Sequence, residues 1–91
     1  MLVARRFVVG GRVQGVGFRY FTEAAALREG LSGYVSNRRD GSVEAEVEGD
    51  AASVERFELA IRRGPPASRV DSVEVTQVVP TGRVTGFHVR G

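Results

Sequence analysis

The chain has no cysteine, no lysine and only one histidine among its 91 residues. Without cysteine there are no disulfides and no thiolate chemistry. Without lysine there is neither Schiff-base chemistry nor the lysine of a P-loop. A lone imidazole, His88, excludes metal sites that need several histidines. No apolar run approaches the ~20 residues of a membrane-spanning helix. The opening Met1-Leu2-Val3-Ala4-Arg5-Arg6 lacks a charged segment followed by a long apolar one, so no secretory signal is expected. A single domain over 1–91 in the cytoplasm, with no membrane partner, is the expectation.

The charge balance is less informative than it looks. All 13 basic residues are arginine, against 11 acidic ones, for a net charge of +2. That small arginine surplus lifts the isoelectric point to about 9.9. It does not by itself imply a nucleic-acid partner. The apolar fraction, 42%, is that of an ordinary folded domain. A chain of this length buries roughly 60–70% of its unfolded surface, enough for one modest core.

Val3, Phe7, Val9 and Val13 share one parity, with Arg6 and Arg12 on the other, as in a first strand. From Tyr20 the period changes: Tyr20, Ala24, Leu27 and Leu31 form one helical face, with Phe21 and Ala25 beside it and Gly30 at the C-terminal end. Leu31, Gly33 and Val35 alternate into Asn37, and Asp40-Gly41 signals a hairpin. Val43, Ala45 and Val47 then alternate with Glu44, Glu46 and Glu48, a strand buried on one face only. Asp50 is placed to cap a second helix with the stripe Val54, Phe57 and Ile61, which Gly64-Pro65-Pro66 ends. Val73, Val75 and Val79 mark a fourth strand stopped by Pro80, and Phe87 and Val89 a short last one. The order β-α-β-β-α-β plus a terminal strand predicts an α+β, ferredoxin-like split β-α-β sandwich. Its sheet should be mainly antiparallel, with both helices on one face.

Few residues invite chemistry. There is no cysteine nucleophile, no Ser-His-Asp set in a fitting context and no cluster of metal ligands. Glu44, Glu46 and Glu48 read as the wet face of a strand. His88 reads as an outward residue near the C-terminus, and Arg38-Arg39 as a solvated turn. The exception is Val9-Gly-Gly-Arg-Val-Gln-Gly-Val-Gly-Phe-Arg19, a glycine-loosened loop between strand and helix. Glycines let backbone N–H groups turn toward one point. A helix N-terminus adds free donors and a positive dipole end. Arg19 adds a permanent charge with a donor fork that fits phosphate. The loop lacks both the Rossmann spacing and the Gly-Lys-Ser/Thr of a Walker loop. On spacing alone it is either an anion site or a tight structural turn.

Two motifs go further. Val9-x-Gly11-x-Val13-Gln14-Gly15-Val16-x-Phe18-Arg19 closely resembles the first signature of the acylphosphatase family. Gly33-Tyr34-Val35-Ser36-Asn37-x-x-x-Gly41-x-Val43, continuing to Gly49, resembles the second. Their separation, the element order and the chain length all fit that family. Ser36 departs mildly from it, since relatives often carry a basic or aliphatic residue there, and this could alter substrate preference.

The resemblance implies hydrolysis of the anhydride between a carboxylic acid and phosphate, with no metal and no cofactor. It implies that the loop Gln14, Gly15, Val16, Gly17 and Phe18 wraps the phosphate with backbone N–H groups. It further implies that Arg19 pairs with the phosphoryl oxygens and that Asn37 holds the attacking water. The assignments suit the chemistry. A carboxylate leaves readily, so no strong protein acid is needed, and phosphoryl transfer asks mainly for positioning and charge stabilisation. The expected partners are a small-molecule acyl phosphate and inorganic phosphate, the latter as product and inhibitor. No nucleic acid is expected, and the protein should be monomeric, although exposed sheet edges leave a dimer open. The alternative is a ferredoxin-like module that binds an anion or RNA without catalysis. Tyr34 is the one obvious aromatic on the proposed outer face for stacking a base. A third reading, carbamoyl phosphate as natural substrate, follows from similar modules inside larger maturation enzymes.

Overall fold

The computed structural model describes all 91 residues. Seven elements follow one another: β1 (Leu2–Arg12), α1 (Phe18–Arg28), β2 (Ser32–Asn37), β3 (Val43–Asp50), α2 (Ala51–Arg63), β4 (Arg69–Val78) and β5 (Phe87–Arg90). The strands form one sheet in the order β4-β1-β3-β2-β5. Three of its four pairings are antiparallel, and β5 runs parallel to β2. The fold is the ferredoxin-like α+β arrangement that the alternation predicts.

The core lies between the sheet and the helices. Val43, Ala45 and Val47 of β3 are buried, as period two requires, beside Phe7 and Val9 of β1 and Val35 of β2. Val54, Phe57 and Ile61 of α2 pack onto them, together with Ala60. The Phe57 ring centre lies 5.7 Å from that of Phe7 and 6.4 Å from that of Phe87, so α2 is seated on β1 and β5 through tilted aromatic contacts. Asp50 caps α2: its carboxylate accepts the Ala52 N–H at 3.1 Å. Gly64 follows the last turn, as expected.

Helix α1 corrects the sequence reading. It begins at Phe18, two residues before Tyr20, and buries Phe18, Thr22, Ala25 and Ala26. Tyr20, Ala24 and Leu27 face solvent instead. Phe18 sets the phase by inserting its ring into the core, and Thr22 is tolerated there because its hydroxyl donates to the Phe18 carbonyl at 2.8 Å. The C-terminal end closes as expected around Gly30, whose N–H donates to the Leu27 carbonyl while Leu31 N–H reaches Ala26. Strand β4 also differs. It starts at Arg69 and ends at Val78, leaving Val79 outside and 87% exposed. As an edge strand it contributes only Val70 and Val73 to the margin of the core.

β4 and β5 occupy opposite edges, so residues 79–86 must cross the sheet. They do so at Glu48 and Ser32. The Glu48 carboxylate accepts the N–H groups of Thr81 and Gly82, each at 2.7 Å, and Ser32 Oγ accepts that of Thr85 at 3.1 Å. Glu48 is therefore a latch rather than a solvated charge. Its neighbours are occupied too: Glu44 accepts the Tyr34 hydroxyl, and Glu46 pairs with Arg6 at 3.2 Å. Alternation gave these carboxylates the correct face but could not reveal what else would meet there.

The backbone donors of Thr81 and Gly82 hold the Glu48 carboxyl below its ordinary value of 4.5. A carboxyl lowered in the folded state stabilises the fold fully above its unfolded pKa, and the contribution fades as pH falls through the folded value. Glu48→Gln should therefore lower the melting temperature at pH 7 and flatten the loss of stability on acidification below about pH 4.5. Melting curves of both proteins from pH 7 to pH 3 measure this.

Candidate active site

Because β1 and β2 both run antiparallel to β3, their C-terminal ends lie at the same end of the sheet. The register states it directly: Val9 of β1 is opposite Val43 of β3, and Val43 is opposite Asn37 of β2. The loop that leaves β1 and the turn that leaves β2 thus meet, although their motifs are separate in sequence.

One side chain joins them. Gln14 Nε2 donates to the carbonyl of Arg38 at 2.7 Å and to that of Ser42 at 3.0 Å. Both acceptors belong to the β2–β3 turn. The turn is closed independently by Arg38 N–H to Ser42 and by Asp40, whose carboxylate accepts Ser42 N–H and Oγ–H. The Ser42 hydroxyl, then its N–H, holds the Asp40 carboxyl below the usual range. The Gln14 amide thus fastens the loop to a preformed turn.

Beyond Gln14 the chain turns through two left-handed positions, Gly15 at φ 74° and Gly17 at φ 79°. A Cβ there would be strained by the backbone angle itself, although no neighbouring atom would obstruct it. Gly17 is the N-cap of α1 and offers no capping side chain; its carbonyl receives the first helical bond, from Phe21 N–H at 3.0 Å. The N–H groups of Gly15, Val16, Gly17, Phe18, Arg19 and Tyr20 find no acceptor within the chain. Free donors at a helix N-terminus suit an anion.

A cavity of about 120 Å³ opens here, lined by Val13, Gly15, Gly17, Phe18, Arg19, Tyr20 and Asn37. The structure thus brings together Gly15, Gly17, Phe18, Arg19 and Asn37 of the expected residues. Gln14 and Val16 do not line it, since the Gln14 side chain is turned to the hairpin and Val16 packs against the core. Arg19 Nη1 donates to the Arg90 carbonyl at 2.7 Å and makes no ion pair, so its charge is held in place but not neutralised. The contact with Arg90 was not visible in the sequence, because it exists only once β5 has paired with β2. Asn37 presents a half-buried carboxamide that has no hydrogen bond within the chain. No three His, Asp or Glu side chains come together as a metal-ligating group.

The acylphosphatase profile matches residues 5–89. The chain belongs to the acylphosphatase family. It is similar to an acylphosphatase of Anaeromyxobacter dehalogenans, 49% identical over 88 residues that make up 97% of this chain and 95% of that one. An acylphosphatase of Koribacter versatilis is 46% identical over 87 residues, covering 96% of this chain and 79% of the relative. Among solved structures, the acylphosphatase from Bacillus subtilis superposes with a TM-score of 0.93 at 40% identity, and each chain covers the whole of the other. In this chain Gln14 joins the segments that carry the two signatures.

The Tyr34 ring, the one aromatic considered for stacking a base, already has partners within the chain. The Arg90 guanidinium carbon lies 4.0 Å from the centre of the Tyr34 ring, and the Tyr34 hydroxyl donates to Glu44. Burial, then the bond to Glu44, pushes the Tyr34 hydroxyl up to about 12. His88 is exposed, with Nε2 at 2.9 Å from the Thr85 carbonyl and so outside the cavity. No helix is long and apolar enough to cross a membrane.

Removing the Gln14 carboxamide should loosen the loop without touching the cavity wall. Gln14→Ala should cost about 1–2 kcal/mol, the net worth of two hydrogen bonds whose acceptors keep other partners. Urea denaturation measures the cost. Hydrogen exchange should show faster exchange at Phe21, whose N–H is held by the Gly17 carbonyl of the loop, with the β2–β3 turn and the β1–β3 pairing unchanged.

Proposed function

We propose that this acylphosphatase binds the phosphoryl group of an acyl phosphate on the backbone N–H groups of the Gln14–Phe18 loop and on Arg19, and that Asn37 directs the attacking water. The observation that carries the reading is the run of unpartnered N–H groups beside an unpaired, positioned Arg19, with a free Asn37 carboxamide on the same cavity.

The chemistry follows from these parts. Arg19 has one donor committed to Arg90, which leaves others to bridge phosphoryl oxygens in a bidentate contact. Amides and guanidinium together spread the charge that the transition state places on those oxygens. Asn37 does not take up a proton at neutral pH, so it orients water and does not act as a base. The water oxygen bonds to phosphorus, the bond from phosphorus to the acyl oxygen breaks, and the carboxylate leaves with that electron pair. The water proton passes to a phosphoryl oxygen. Gln14 serves by its backbone and by holding the loop. A single domain over 1–91, monomeric and cytoplasmic, acting on a small-molecule acyl phosphate without metal, cofactor or nucleic acid, completes the proposal. Inorganic phosphate, the product, should occupy the same cradle and inhibit competitively.

The roles of Arg19 and Asn37 separate by experiment. With benzoyl phosphate in excess EDTA, the protein should turn over while p-nitrophenyl phosphate remains nearly untouched. Arg19→Ala should lose kcat and phosphate affinity together, and Arg19→Lys should recover little, because a point charge does not reproduce the fork. Asn37→Ala should lose roughly 10²-fold in kcat, the scale of one lost positioning bond, with phosphate affinity nearly kept. Calorimetry gives the phosphate Kd of each variant and circular dichroism its fold. A folded Asn37→Ala with full turnover, or one that loses phosphate as badly as Arg19→Ala, contradicts the assignment.

A further inference from the structure

The acyl half of the substrate must also rest somewhere, and the cavity gives it one apolar surface. Three of the residues around it are hydrophobic: Val13, Phe18 and Tyr20. Val13 is 1% exposed and Phe18 2%, both committed to the core, whereas Tyr20 is 67% exposed. Core packing does not account for Tyr20: the buried face of α1 is Phe18, Thr22, Ala25 and Ala26. No hydrogen bond within the chain holds its hydroxyl or fixes its ring. An aromatic ring therefore stands in solvent one residue after Arg19, on the first turn of the helix whose N-terminal residues line the cavity. At about 120 Å³ the cavity suits a phosphoryl group and a water. An acyl chain larger than a few atoms must leave it past the rim.

We propose that Tyr20 is a specificity-determining residue, the platform on which the acyl group lies, and that it makes the site favour flat aromatic acyl groups over acetyl. The proposal rests on the phosphoryl group occupying the Gln14–Arg19 cradle. Tyr20 takes no part in the bond changes. It binds the acyl carbon skeleton by ring stacking and apolar contact, so it acts on KM and not on the phosphoryl step. Its effect depends on the acyl group and is absent for inorganic phosphate, which has none.

The test compares wild type, Tyr20→Ala and Tyr20→Phe with benzoyl phosphate, acetyl phosphate and inorganic phosphate as inhibitor. Tyr20 is exposed, so the variants should fold, and circular dichroism checks this. Tyr20→Ala should raise KM for benzoyl phosphate about three- to tenfold, the range that aromatic stacking supplies. Its kcat, its KM for acetyl phosphate and its inhibition constant for phosphate should stay within about twofold of wild type, a change too small to signal a lost contact. Tyr20→Phe keeps the ring and should behave as wild type. If both substrates lose the same factor, or neither changes, while phosphate still inhibits competitively, Tyr20 is not the platform and the cradle stands. If phosphate does not compete in wild type, the cradle reading fails and the platform falls with it.

Discussion

The site depends on the bridge from Gln14 to the β2–β3 turn. Sheet topology brings the end of β1 and the end of β2 to one side of the molecule, but strand pairing alone leaves the intervening loop free to wander. Two hydrogen bonds from one carboxamide remove that freedom. The flexible part of the site, a loop with two left-handed glycines, is thereby tied to its rigid part, a turn already closed by Asp40 and by backbone pairing. Arg19 and Asn37 share a cavity because of this bridge. Preorganisation of this kind matters for phosphoryl transfer, where the protein supplies position and charge more than covalent chemistry.

A second constraint acts from the far edge of the sheet. The chain must travel from β4 to β5 across the sheet, and Glu48 and Ser32 secure that crossing. Its result is that β5 lies beside β2 with the Arg90 carbonyl in reach of Arg19. Other arginines, among them Arg5, Arg6, Arg56, Arg62 and Arg69, are paired with carboxylates. Arg19 is steadied instead by a neutral oxygen. A carboxylate in that place would orient the guanidinium equally well but would cancel the charge that an anionic substrate needs.

Much of this was legible in the sequence, for identifiable reasons. Strand β3 and helix α2 carry clean periods and an explicit cap at Asp50, so local rules sufficed. The loop stood out because glycine at left-handed positions and an arginine at a helix start have few substitutes, whereas Asn37 was marked only by the resemblance to the second signature. What escaped was long-range. The face of α1 was misread because three alanines fit several phases, and the core contact of Phe18 decided between them. The partners of Glu44, Glu46 and Glu48 come from β2, β1 and the crossover, which no window along β3 contains. The Gln14 bridge and the Arg90 contact span 24 and 71 residues of sequence, and they exist only after the sheet has formed.

The central claim is that the free N–H groups of the loop that ends at Phe18, together with Arg19, hold a phosphoryl group. The most direct test is titration of uniformly ¹⁵N-labelled protein with inorganic phosphate, followed through the amide resonances. The account predicts saturable shifts concentrated at Gly15, Val16, Gly17, Phe18 and Arg19, with the Asn37 side-chain amide responding and the β4 edge silent. Saturable shifts confined to other surfaces, or no shifts at phosphate concentrations that inhibit turnover, would contradict it.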